Sequence, residues 1–100
     1  MLQAVRNLML EKVRALKMYG SGTLDFCYVA KGVVDACYGG LANEGWKVWD
    51  YAAAGLIATE AGAELVTLKG DEFYLTSPTF LCCAKGIKDE LIAVINKPNT

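Results

Sequence analysis

Residues 48–63 read VWDYAAAGLIATEAGA, and the rest of the chain is organised around them. As a helix, this stretch places Asp50 in the first turn, where unpaired backbone N–H groups and the positive end of the helix dipole lie. The body of the helix carries almost no polar side chain, so we expect other parts of the protein to cover it nearly all round. Small residues at positions 52–55 let neighbouring backbones approach closely, and Gly62 supplies the positive φ that commonly ends a helix. The stretch therefore predicts a carboxylate held at the N-terminal end of a buried helix.

Length and composition limit the kinds of protein that this chain can be. It has 100 residues, which is enough for one domain or for part of one. Hydrophobic residues make up 54% of the chain, and so short a chain buries only a modest fraction of its surface, so some of this apolar content is expected to pack against something absent.

The balance of charge bears on localisation and partners. Ten Lys and Arg residues stand against eleven Asp and Glu residues, so the sequence has no basic field for nucleic acid. No apolar run reaches the roughly 18 residues that span a bilayer, and the N-terminus lacks the order of a signal peptide. We expect a cytoplasmic protein that binds neither nucleic acid nor a membrane.

The four cysteines are Cys27, Cys37, Cys82 and Cys83. They form no C-x-x-C pair and the chain has no histidine, so a zinc site is not expected. Cys82 and Cys83 are adjacent on a predicted strand, which would point their side chains to opposite faces of a sheet. We expect all four to be free thiols, packed as small apolar groups.

Hydrophobic periodicity and turn residues predict helices alternating with strands. The predicted helices cover residues 2–11, 22–30, 48–61 and 87–95. The predicted strands cover residues 12–19, 33–38, 64–68, 73–75 and 80–84. This alternation favours an α/β fold in which helices cover a mixed sheet.

Two segments of the chain resemble signatures of the inositol monophosphatase family. The first is the Trp49-Asp50 pair, followed by small residues at 52–54, aliphatic residues at 56–58 and Gly62. The second reads GSGTLDFCYVAKG at residues 20–32 and continues as VDACY at residues 34–38. It is similar to the family's segment G-S-A-A-L-D-L-C-Y-V-A-x-G and the DAYYE-like strand that follows it. Both segments occur in the family's order and at about its spacing.

The resemblance covers only the C-terminal half of the family's domain. It implies the C-terminal half of a layered αβαβα sandwich, so residues 1–100 would form a single partial domain. Two further metal-binding signatures of the family, a Glu-Glu pair and an Asp-Pro-x-Asp-Gly loop, lie upstream in full-length members and have no counterpart in this sequence. The N-terminal metal-binding half is therefore expected to be absent.

Asp50 is the candidate metal ligand. In the family, the aspartate of the Trp-Asp pair binds a metal close to the substrate's hydroxyl, so the resemblance implies that Asp50 binds Mg²⁺. A hard cation prefers oxygen ligands, and several carboxylates must converge to hold a two-metal site, which one aspartate cannot do. The alternative is an ordinary carboxylate at a helix start, stabilised by the helix dipole by about 0.3–1 kcal/mol.

Ser21, Gly22 and Glu44 are the candidate substrate-binding residues. Backbone N–H groups that open a helix form an oxygen-binding edge, and the resemblance implies that Ser21 and Gly22 contact sugar-alcohol hydroxyls there. A helix-capping turn is a compatible alternative. Glu44 precedes Asp50 by six residues, near the glutamate of inositol-specific members, although its loop is several residues longer than usual. The alternative for Glu44 is a solvated loop carboxylate.

One departure from the family pattern concerns the residue that precedes this glycine turn. Family members usually carry an arginine three residues before the glycine, and this chain has Lys17. A lysine keeps the positive charge but lacks the planar fork that pairs with a carboxylate or phosphate through two hydrogen bonds. The departure leaves the exact phosphate ester open.

The resemblance implies a function as well as a fold. Full-length members hydrolyse phosphomonoesters with a metal-activated water, are lithium-sensitive and are commonly dimers. We therefore expect the C-terminal portion of a magnesium-dependent inositol-phosphate phosphatase, inactive as this isolated chain. One alternative is a non-catalytic truncated isoform that binds a full-length relative through exposed apolar surface. Another is a sister phosphatase that acts on histidinol phosphate, fructose bisphosphate or phosphoadenosine phosphate.

Overall fold

A computed structural model describes residues 2–11, 13–15, 22–39, 48–74 and 77–98. The helices are α1 (Leu2–Leu10), α2 (Gly22–Lys31), α3 (Val48–Glu60) and α4 (Lys88–Ile95). The strands are β1 (Ala36–Gly39), β2 (Glu64–Val66) and β3 (Phe80–Cys83). Within the described ranges, no helix combines the length and the apolar character that crossing a membrane requires.

The last strand of the chain lies in the middle of the sheet. The strand order is β1-β3-β2, and β3 pairs antiparallel with both neighbours. Cys82 is the central residue of one row, opposite Cys37 on one side and Leu65 on the other. The sequence predicted a mixed sheet, but the pairing among the described strands is antiparallel throughout. The reason is that β1 and β2 run in the same direction while β3 inserts between them in the opposite one.

Alternation along β3 divides the core into two parts, because successive side chains point to opposite faces of a sheet. Helices α2 and α3 cover one face with a cluster of buried residues: Phe26, Val29, Ala54, Ala58, Phe80 and Cys82. Helices α1 and α4 cover the other face with a second cluster: Ala4, Leu8, Leu68, Leu81, Cys83 and Ile95. The result is a layered α/β fold, as predicted. Cys82 and Cys83 point to opposite faces, which confirms that prediction as well.

The predicted helices all form, with ends that differ by at most one residue. Three predicted strands also form but are shorter than predicted. Of the strand predicted at 12–19, residues 13–15 make no strand pairing and the others lie outside the described residues. Of the strand predicted at 73–75, residues 73 and 74 lie in no strand and residue 75 is outside the described residues. An isolated bridge joins Val66 to Glu72 just before them.

A tight turn explains why the segment after β2 is not a strand. The hydroxyl of Thr67 accepts hydrogen bonds from the backbone N–H groups of Lys69 and Asp71, at 3.3 and 3.1 Å. The Thr67 N–H in turn donates to the carbonyl of Asp71 at 3.0 Å. These local bonds satisfy backbone groups that a longer strand would need for its ladder.

A buried amide ties α1 to the end of α4. Asn7 is 3% exposed, and its Nδ2 donates to the backbone carbonyl of Lys97 at 2.9 Å. The same Nδ2 donates to the carbonyl of Ile95, the last residue of α4, at 3.4 Å. The last carbonyls of a helix have no partner within the helix, so this side chain satisfies a buried group at the helix end. Sequence periodicity alone did not single out Asn7.

Phe26 anchors the cluster between α2, α3 and the sheet. Its ring is fully buried and meets the ring of Phe80 edge-on, with 4.9 Å between ring centroids and an interplanar angle of 66°. Phe26→Ala should lower the free energy of unfolding by about 3–5 kcal/mol, because it removes this contact and leaves a cavity. Urea denaturation followed by circular dichroism measures the change.

Tyr74→Ala is the control for this substitution, because the Tyr74 side chain is 61% exposed. An exposed aromatic residue contributes little to the core, so the control should change the free energy of unfolding by no more than about 0.5 kcal/mol. Equal losses in the two variants would contradict the assignment of Phe26 as a core residue.

Candidate functional site

Helices α2 and α3 begin at the same end of the sheet, near the C-terminal ends of β1 and β2. Residues 32–35 join the end of α2 to the start of β1, and residues 61–63 join the end of α3 to the start of β2. Both helices pack on one face of the sheet, and β1 and β2 point in the same direction. Both helices therefore end near the N-terminal ends of these two strands. The N-terminal ends of the two helices therefore lie toward the C-terminal ends of β1 and β2.

Two of the predicted site residues lie at these helix starts. Gly22 is the first residue of α2, and Asp50 is the third residue of α3, in its first turn. The side chain of Asp50 is not among the described ones. Ser21 and Glu44 both lie outside the described residues, as does Lys17. Their predicted roles in substrate binding stay predictions.

The contact between α3 and the sheet is close at Gly55. A Cβ atom added to Gly55 would lie 3.2 Å from Cδ2 of Leu65 on β2, which is tighter than ordinary van der Waals contact. Ala54 and Ala58 flank this position and are fully buried. The small residues at 54 and 55 thus let the helix backbone lie close to β2, as predicted, whereas those at 52 and 53 are exposed. The sheet supports the helix that carries Asp50.

The opposite face of α3 is exposed, which overturns the prediction of cover nearly all round. Leu56 is 60% exposed and Ile57 is 48% exposed. Ala52 and Ala53 are exposed on the preceding turn of the same face. We call these four residues the α3 outer face. The described residues pack against only one side of α3, and they leave the apolar side chains of the α3 outer face exposed.

Asp25 is a buried acid that is not among the candidate site residues of the sequence analysis. It lies in the first turn of α2, and its Oδ1 atom is buried with no hydrogen-bond partner among the described residues. Burial raises the pKa of this carboxyl group above its ordinary value. The signal in the sequence was an aspartate inside an otherwise apolar run, TLDFCYVA at residues 23–30.

The described residues do not assemble a metal site. In the described ranges, no group of three or more Asp, Glu, Cys or His side chains could hold a metal ion. Magnesium in phosphate-handling sites is held by one or two carboxylates together with waters and substrate phosphates, in near-octahedral geometry. A two-metal centre needs several converging carboxylates, which a single aspartate cannot supply.

Comparison with known proteins assigns the chain to a family. The model of the inositol monophosphatase family matches residues 1–98. The chain belongs to the inositol monophosphatase family. This confirms the resemblance carried by the Trp49-Asp50 signature and by the segment at residues 20–38.

Individual inositol monophosphatases match most of this chain. Inositol-1-monophosphatase SuhB of Mycobacterium tuberculosis is 41% identical over 87 residues, which cover 87% of this chain and 28% of that protein. Inositol monophosphatase 1 of Sus scrofa is 34% identical over 92 residues, which cover 92% of this chain and 32% of that protein.

The fold matches a solved structure of the same group. The crystal structure of the extragenic suppressor protein SuhB from Bartonella henselae superposes with a TM-score of 0.86 at 26% identity. The match covers 98% of this chain and 36% of that one. The chain thus spans about a third of the length of the inositol monophosphatases that it matches.

Asp25→Asn is expected to remove a pH dependence of stability from this family member. Burial raises the pKa of Asp25 in the folded chain, so the folded state resists ionisation where the unfolded state already ionises, at about pH 4. The free energy of unfolding of the wild type should therefore fall relative to that of Asp25→Asn as the pH rises from about 3 toward 7. Urea denaturation of both proteins across this pH range measures the difference.

Asp89→Asn is the matched control for this pH series. Asp89 also lies in the first turn of a helix, α4, but its side chain is exposed. The control therefore removes the same charge from a similar position relative to a helix dipole, without relieving burial. If the curve for Asp25→Asn follows the curve for Asp89→Asn, burial of Asp25 has no effect on stability and the prediction is wrong.

Proposed function

We propose that this chain is the C-terminal portion of a magnesium-dependent inositol-phosphate phosphatase. Residues 1–100 would form a partial domain that lacks the N-terminal metal-binding half. Family membership supports this proposal, as does a match that covers about a third of each relative. The main supporting observation concerns α3, the helix with the Trp49-Asp50 signature. It has Asp50 in its first turn and begins at the same end of the sheet as α2. Lithium sensitivity and a cytoplasmic location are part of the same proposal.

Each candidate residue has a role in the proposed site. Asp50 would supply one carboxylate ligand to a metal that, when bound, offsets phosphate charge and activates a water. Ser21 and Gly22 would present backbone N–H groups to hydroxyls of the substrate. Glu44 would accept hydrogen bonds from polyol hydroxyls. Helices α2 and α3 begin at the same end of the sheet, which supports a common pocket for Gly22 and Asp50. Its substrate would be a small phosphomonoester.

The isolated chain is expected to bind Mg²⁺ weakly and to release phosphate from inositol 1-phosphate negligibly. The reason is that one carboxylate cannot organise a centre that needs several. Asp50→Asn should reduce the residual affinity for Mg²⁺ measured by titration calorimetry, because it removes the proposed ligand. Asp89→Asn, at the start of α4, is the control and should leave that affinity unchanged.

Two outcomes would count against this proposal. Turnover by the wild-type chain within the range of ordinary enzymes, about 1–10³ s⁻¹, would show that the 100 residues are catalytically complete. Equal loss of Mg²⁺ affinity in Asp50→Asn and Asp89→Asn would show that binding reflects general negative charge. Fructose bisphosphate, histidinol phosphate and phosphoadenosine phosphate belong in the same assay, because a sister activity is the alternative substrate assignment.

A second candidate function is favoured by the α3 outer face. We propose as the alternative that the chain acts without catalysis, by binding a full-length relative through this exposed apolar surface. Leu56 and Ile57 are large, apolar and about half exposed or more, and adjacent exposed apolar residues often mark interaction surfaces. The cost of leaving them in water is removed when a partner covers them.

Leu56→Asp is expected to abolish binding of the chain to a full-length inositol monophosphatase. A charge on the α3 outer face would have to be desolvated in the complex, which is costly when no partner charge compensates it. Val33→Asp is the control, since Val33 is 58% exposed but lies outside that face. Analytical ultracentrifugation of labelled chain with an excess of the full-length protein measures binding. Similar affinities for the wild type and Leu56→Asp would rule out this face as the interface.

A further inference from the structure

The helices on the two faces of the sheet differ in what they present outward. Helices α3 and α4 lie on opposite faces. The outer surface of α4 carries the exposed charged residues Asp89 and Glu90, as expected for a helix that borders water. The α3 outer face instead presents apolar side chains, including the exposed Leu56 and Ile57. Helix α4 is therefore suited to border solvent, whereas α3 is suited to lie beneath a further layer of the protein.

The α3 outer face is continuous with the start of the helix. Asp50, Ala53 and Ile57 follow one another at intervals of three and four residues, the spacing that places positions on one face of a helix. Positions 50 and 53 are about 4.5 Å apart along the axis, because each residue advances an α-helix by about 1.5 Å. A partner that covers Ala53 and Ile57 therefore also reaches the position that is proposed to supply the metal ligand.

Two requirements identify this partner. It must present an apolar surface to the α3 outer face, and it must bring carboxylates to a centre for which one aspartate is not enough. The part of the inositol monophosphatase domain that this chain lacks meets both. The chain covers 28% of SuhB of Mycobacterium tuberculosis and 32% of inositol monophosphatase 1 of Sus scrofa, so most of each relative has no counterpart in it. By the family resemblance, that remainder includes the Glu-Glu pair and the Asp-Pro-x-Asp-Gly loop.

A second copy of this chain and a full-length relative fit the surface less well. A stable interface buries about 800 Å² on each partner, and two α3 helices packed together would bury little beyond the α3 outer face of each chain. A full-length relative contains its own counterpart of this segment, which would already cover the matching surface. The partner is therefore a polypeptide that carries the remainder of the domain without that counterpart.

We propose that the α3 outer face is the docking surface for the remainder of the inositol monophosphatase domain, supplied by a separate polypeptide. Docking would bring the partner's carboxylates to the end of α3 that carries Asp50 and so complete the metal centre. The docking surface follows from the exposed apolar face of α3, whereas completion of the metal centre rests on the proposed phosphatase function.

The test co-expresses the full 100-residue chain, with an affinity tag, and SuhB of Mycobacterium tuberculosis from which the matched 87-residue segment has been deleted. The two polypeptides should co-purify in equal amounts, and full-length SuhB should not be retained above background. The purified complex should release phosphate from inositol 1-phosphate in the presence of Mg²⁺, and neither polypeptide should do so alone.

Leu56→Lys and Leu10→Lys are matched variants for the docking surface. Each replaces an exposed leucine on a helix by the same charged residue, but Leu10 lies on α1, away from the α3 outer face. Leu56→Lys should abolish co-purification and Leu10→Lys should preserve it, because only the first places an uncompensated charge in the interface. Circular dichroism of each variant chain alone should match that of the wild type, since both side chains are exposed in it.

A chimera keeps the test decisive if the shortened SuhB does not fold. In the chimera, residues 1–98 of this chain replace the matched segment of SuhB. Leu56→Lys should lower the melting temperature of the chimera by about 5 °C or more, because it buries an unpaired charge, and Leu10→Lys should lower it by no more than about 1 °C.

The outcomes separate docking from the proposed function. Equal melting temperatures of the two variant chimeras, or a chimera that does not fold, would overturn the docking surface and leave the proposed function standing. Co-purification without phosphate release would support docking but overturn completion of the metal centre, and it would count against the proposed function. If full-length SuhB is retained as well as the shortened protein, the α3 outer face binds a full-length relative and the proposed partner is wrong.

Discussion

Strand β3 is hydrogen-bonded along both edges and buried on both faces, and the other layers are built against it. All four of its residues, Phe80–Cys83, are essentially inaccessible to solvent. Alternate side chains go to the two helical layers, so a single short strand supplies both cores. Burial on two faces explains why the segment is apolar at every position and lacks the alternation of a half-exposed strand. Phe80 helps to attach the layer of α2 and α3 to the sheet, because its ring meets that of Phe26.

One side of α3 is buried and the other is exposed, and this contrast agrees with a chain that matches only part of each relative. The inner side is made of Ala54, Gly55 and Ala58, and it lies close enough to β2 that a single methyl group at Gly55 would be crowded. The outer side carries Leu56 and Ile57 into solvent. A helix that is apolar all round belongs inside a protein larger than the described layers. This agrees with a match that extends over about a third of each relative.

The sequence identified most of the fold and only part of the site. Helices were predictable because their apolar residues recur with a regular period, and the family signatures placed Asp50 at a helix start. The pairing of β3 between two earlier strands was not predictable, since register and order depend on contacts far apart in the chain. Asn7 was missed as a buried polar group, because its burial comes from tertiary packing and not from local pattern. The exposure of Leu56 also lay beyond prediction, because composition does not reveal which neighbours a helix lacks.

The position of β3 in the chain has a consequence for synthesis on the ribosome. Strands β1 and β2 emerge first, yet they do not touch each other, because the place between them belongs to residues 80–83. A nascent chain therefore carries two unpaired strands, with their apolar faces, until residues 80–83 have left the exit tunnel. Such edges attract other chains. Until β3 emerges, the inner edges of β1 and β2 are therefore open to pairing with other chains.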